Sequence, residues 1–82
     1  MKVKSIKANQ TEIHLSNGNV VFVSYETPVA FFESGKGVVK TGTKWSQTTT
    51  KHISEFCHRH GLTLRGERPQ EYFDTLLTDI ES

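Results

Sequence analysis

Leu15-Ser16-Asn17-Gly18-Asn19-Val20-Val21-Phe22-Val23-Ser24-Tyr25 decides the fold of this 82-residue chain. Asn-Gly is the strongest short hairpin signal, because both residues tolerate positive φ. The run behind it alternates Val21, Val23, Tyr25 with Val20, Phe22, Ser24, so both its faces are largely apolar. Such a strand belongs inside a sheet, not at its edge. Ahead of it, residues 3–8 and 11–15 are expected to be strands around a polar Asn9-Gln10 turn. Behind it, Glu26-Thr27-Pro28 breaks the ladder, since Pro28 has no N–H to donate. Residues 29–33 and 37–41 then pair across Ser34-Gly35-Lys36. The expectation is an antiparallel meander of four to five strands.

The second half carries the helical period. Ile53, Phe56, Cys57 and His60 recur at i, i+3, i+4, i+7 and make one apolar face of a helix over residues 46–61. Ser46 or Thr48 supplies its N-cap and Gly61 its stop. Residues 62–68 read as a connector, and Pro69 fits the first position of a helix over residues 69–81. That helix shows a wide stripe of Tyr72, Phe73, Leu76, Leu77 and Ile80, read as core or as a dimer or partner interface. The fold class is α+β in one domain. The sheet occupies residues 1–45, the first helix lies on one of its faces, and the second lies beside that helix or on a partner subunit.

Charge is unevenly placed. Residues 1–66 hold nine Lys/Arg against four Asp/Glu, and residues 67–82 hold one Arg against five acids. A basic body with an acidic tail points to a polyanionic or acidic partner. Lys2, Lys4, Lys7, Lys36 and Lys40, joined by Lys44 and Lys51, are candidates for one backbone-tracking stripe. The alternative is that the strand lysines only protect sheet edges. The single Cys57 excludes an internal disulfide and fits a reducing compartment. No segment approaches the roughly 20 apolar residues of a membrane span. A cytoplasmic protein is expected.

Lys44-Trp45-Ser46-Gln47-Thr48-Thr49-Thr50-Lys51-His52-Ile53 is the stretch with most chemical potential. A helix start presents free N–H groups and partial positive charge. Lys44, Trp45, Lys51 and His52 around it are the candidate contacts for a phosphate or a partner. No catalytic residue is assigned, because Cys57 sits mid-helix on the apolar stripe, where a thiol is inert. No metal is assigned, since Cys57, His60 and the other histidines lack paired ligand spacing. No cofactor loop is present; Gly35-Lys36-Gly37 is a hairpin turn.

Two blocks, Ser24-Tyr25-Glu26-Thr27-Pro28-Val29-Ala30 and Trp45-Ser46-Gln47-Thr48-Thr49-Thr50-Lys51-His52-Ile53, resemble a group of short phage, prophage and archaeal-virus proteins. That group carries Ser-Tyr-x-Thr-Pro-Val-Ala followed by aromatic-Ser-x-Thr-Thr-x-Lys-His-Ile, usually with Tyr where this chain has Trp45. The resemblance spans residues 20–58 and implies a viral context without a chemistry. The functional expectation is a non-enzymatic protein that binds and modulates a host or defence protein, in the manner of an anti-CRISPR. The alternative is a nucleic-acid accessory using the 44–52 block.

Overall fold

A computed structural model describes residues 2–81, with side chains described through residue 76. The order is β1 (Lys2–Lys7), β2 (Gln10–His14), β3 (Val20–Ser24), β4 (Thr27–Glu33), β5 (Gly37–Thr41), α1 (Gln47–His60), β6 (Leu64–Arg68) and α2 (Gln70–Glu81). The strands form one six-stranded sheet in sequence order, antiparallel from β1 to β5, with β6 parallel to β5. The expected meander is therefore present, and the segment read as a connector adds a sixth strand. A parallel neighbour needs a long crossover, and α1 supplies it.

The hairpins show how local sequence sets the ladder. Ser16-Asn17-Gly18 closes β2 to β3 with Gly18 at φ 90, Leu15 N–H donating to Asn19 O at 2.8 Å. It is a three-residue loop with glycine in the positive-φ position, not a two-residue Asn-Gly turn. Pro28 lies within β4, opposite Val23 at a bulge that leaves Val29 as the extra residue. It is tolerated there because β5 pairs with β4 only from Ala30 onward, so no ladder bond needs its nitrogen.

The two apolar faces of β3 are covered by different helices. On one face Val20, Phe22, Ala30 and Val38 pack with the bulged Val29 against Ile53 and Phe56 of α1. The Phe22 and Phe56 rings stack at 4.8 Å. On the other, Val21 and Phe31 enclose Phe73 of α2, with Tyr72 and Leu76 packed against them. The second helix thus lies on the opposite side of the sheet from the first, and the fold has three layers. This corrects the placement beside α1 or on a partner. Phe73 is fully buried core, so it is no interface residue. Leu77 and Ile80 of the same stripe lie outside the described side chains.

Capping follows ordinary helix chemistry. Ser46 is the N-cap of α1, its hydroxyl accepting the Thr49 N–H at 3.3 Å, so Thr48 sits inside the first turn and does not cap. Gly61 at φ 63 closes the helix, and the Leu62 N–H donates to Cys57 O at 2.8 Å. Pro69 precedes α2 by one residue and accepts the Tyr72 N–H at 3.0 Å. Ser46→Ala should cost about 1 kcal/mol, seen as a fall of about 4–8 °C in thermal midpoint. Thr48→Ala should leave that midpoint nearly unchanged.

Candidate functional site

Two flanks of α1 meet different surroundings. On one side, Thr50, Ser54 and His58 face β5 and β6 across an open groove of about 870 Å³. Lys44, Trp45 and Leu64 also line it, and Lys40 and Glu67 form an ion pair at 3.2 Å beside them. Trp45 and Leu64 are about half exposed, so this groove keeps apolar surface open to solvent.

Trp45 is held in place. Its Nε1–H donates to Gln70 Oε1 at 3.2 Å, and the same oxygen accepts Thr41 Oγ1–H at 2.8 Å. The Gln70 amide also donates to Pro28 O at 2.8 Å and to Asp74 at 3.1 Å. One glutamine therefore ties α2, β4, β5 and the indole together. It was not singled out in the sequence, where nothing distinguishes a lone Gln after a proline.

On the other flank of α1, Glu55 accepts from Gln10 at 3.0 Å. That hydrogen bond holds its carboxyl below the usual range, against slight desolvation, with Lys7 and Lys51 adding favourable charge. Lys51 belongs to this flank and not to the groove. Next along, Glu12 is sealed from solvent at 1% exposure. Arg59 donates to it at 2.9 and 2.6 Å, His60 at 2.9 Å and His14 at 2.8 Å. Burial alone would raise its pKa, but the hydrogen bonds from His60, Arg59 and His14 together outweigh burial and hold it low. This cluster fastens the end of α1 to β2. Among the described residues, no group of three or more His, Cys, Asp or Glu is arranged to hold a metal ion.

His52 is buried, at 8% exposure, because it lies on the sheet-facing side of α1. Its Nδ1 lies 2.9 Å from Ser24 Oγ, which is 3.5 Å from Thr49 Oγ1. The two sequence blocks therefore meet: Ser24 of the first bonds to His52 of the second. Cys57 is half-buried at the groove floor, and desolvation pushes its thiol upward, away from thiolate chemistry.

The four candidate contacts are thus separated. Lys44 and Trp45 share the groove, Lys51 is on the far flank, and His52 is interior. His52 cannot touch a partner as expected, because a helix turning about 100° per residue carries it inward. The lysine stripe is also divided. Lys2, Lys4 and Lys7 lie on β1, four strand spacings or about 19 Å from Lys40 on β5, while Lys36 pairs with Glu33 at 3.2 Å. No helix among the described residues is long and apolar enough to cross a membrane.

Compared with known proteins, residues 1–75 match the model of a family of unknown function. That match extends well beyond the 20–58 stretch and takes in β1, β6 and the start of α2. No curated protein and no solved structure matches the chain.

Proposed function

The chain belongs to the DUF8033 family of unknown function, and we propose that it is a non-enzymatic binding protein that occupies a partner protein's surface through the groove beside Trp45. The observation that carries this is an exposed tryptophan whose position is fixed before any partner arrives. Binding hot spots are enriched in tryptophan, and an anchor already ordered loses less entropy on association. Leu64 extends the apolar floor, and Lys44 and His58 supply a polar rim. The division of the lysines between the two ends of the sheet favours a protein over a nucleic-acid backbone, which needs a continuous track. The resemblance of its two blocks to phage and archaeal-virus proteins supports a host or defence protein as the target, whose activity the bound chain would modulate.

Tagged protein passed over a bacterial lysate should retain one protein in stoichiometric amount. Trp45→Ala should weaken that capture by about 2 kcal/mol or more, at least tenfold, while the thermal midpoint changes by only a few degrees. Capture of nothing stoichiometric by the unaltered protein, or equal capture by the variant, contradicts the proposal. Retention of nucleic acid that falls steeply with salt would favour the accessory role instead.

A further inference from the structure

Tyr25 stands in the two-residue turn between β3 and β4 at φ 59, in the left-handed region that bulky residues rarely adopt. Its N–H is held by Asn9 O at 2.8 Å, and its ring is about half exposed, 5.8 Å from that of His52. An aromatic kept in a strained turn at the surface calls for a functional reason.

Tyr25 and Trp45 both line a second, smaller pocket of about 240 Å³. Val29 is its other apolar wall, and its hydroxyl lining is Ser24, Thr27, Ser46 and Thr49, of which Ser24 and Thr49 are only 2% and 6% exposed. Every lining residue comes from one of the two sequence blocks. Ser24 is engaged by His52 at 2.9 Å. Thr49 Oγ1 has hydroxyl neighbours, Ser24 and Ser46, only at 3.5 Å, the outer limit of a hydrogen bond. Its hydroxyl retains capacity for one good partner.

We propose that this pocket receives a phenol, the side chain of a tyrosine on the partner protein, with its ring between Tyr25 and Trp45 and its hydroxyl on Thr49 and Ser24. The proposal rests on the protein-binding role proposed above and names the group that enters. A phenol has one polar group, which matches a single hydroxyl relay ending at His52. A nucleobase carries several polar edges, and those left unpaired against Val29 and the two aromatic rings would oppose binding.

The test uses the full chain, 15N-labelled, with p-cresol, toluene and adenosine monophosphate as probes. Millimolar p-cresol should shift the Trp45 indole and Thr49 amide resonances saturably. Toluene should bind about fivefold more weakly, since one hydrogen bond is lost, and the nucleotide should leave these resonances in place. Thr49→Val keeps the shape and should reduce p-cresol binding about fivefold. Tyr25→Gly should abolish binding with the thermal midpoint unchanged or raised, because glycine accepts the positive φ freely. A purely structural Tyr25 would show no loss of binding. No saturable shift with p-cresol, equal binding of toluene, preference for the nucleotide, or undiminished binding by Tyr25→Gly each overturns the proposal. If p-cresol fails while Trp45-dependent capture persists, the phenol pocket is wrong and the partner surface stands.

Discussion

Phe73→Ala is expected to destabilise the protein by about 3–5 kcal/mol, the usual result of removing a fully buried phenylalanine. Phe73 has no exposed surface, and its neighbours Val21 and Phe31 are themselves buried. An 82-residue domain has about 4–12 kcal/mol in total to lose, so the variant gives up at least about a quarter of it. Urea denaturation of the unaltered and variant chains measures this directly. A loss under about 1 kcal/mol would mean that α2 is a detachable element and not the third layer of the fold.

Glu12→Ala should cost about 3 kcal/mol, at the low end for a broken buried ion pair. The moderation has a cause: Arg59 and His60 are 26% and 34% exposed, so they regain water once the carboxylate is gone. Acidity provides the second readout. A folded-state pKa held below the ordinary value near 4.5 means that Glu12 contributes stability above that pH. The contribution is lost as pH falls through the folded value. As pH falls below about 4.5 the unaltered protein should therefore lose stability more steeply than Glu12→Gln. Parallel acid limbs would show that the carboxylate is not held by Arg59, His60 and His14.

The sheet was legible because its interior strand announces itself. Val20, Val21 and Phe22 are buried in succession, as expected of a strand covered on both faces. The placement of α2 was not read from it: the sequence put that helix beside α1 or on a partner, and only the packing of Phe73 on Val21 and Phe31 places it on the opposite face. β6 was illegible for a physical reason: Leu64-Arg65-Gly66-Glu67-Arg68 has one apolar residue and a central glycine. It is a strand through pairing with β5, not through its own propensity. The capping serine and the glycine stop were readable because caps depend on local chemistry alone.

The site was only half legible. Lys44 and Trp45 precede α1 and face the groove, whereas Lys51 and His52 belong to the helix and follow its rotation. Adjacency in sequence concealed that separation. Ser24 carried no role in the sequence and His52 was read as a partner contact, since their 2.9 Å contact joins positions 28 residues apart. Glu12 gave no signal either, because an acidic residue on a short strand resembles a solvated one until Arg59, His60 and His14 converge on it.

In the proposed role, contact is made by the Trp45 side of α1 and not by the 44–52 block as a unit. Paired charge reversals test it most directly, with affinity for the captured partner measured for Lys44→Glu and Lys51→Glu at one ionic strength. Lys44→Glu should weaken binding about tenfold or more, and Lys51→Glu less than about twofold, as for a charge outside the contact. Equal losses, or a larger loss from Lys51→Glu, would place the contact elsewhere than the Trp45 side of α1.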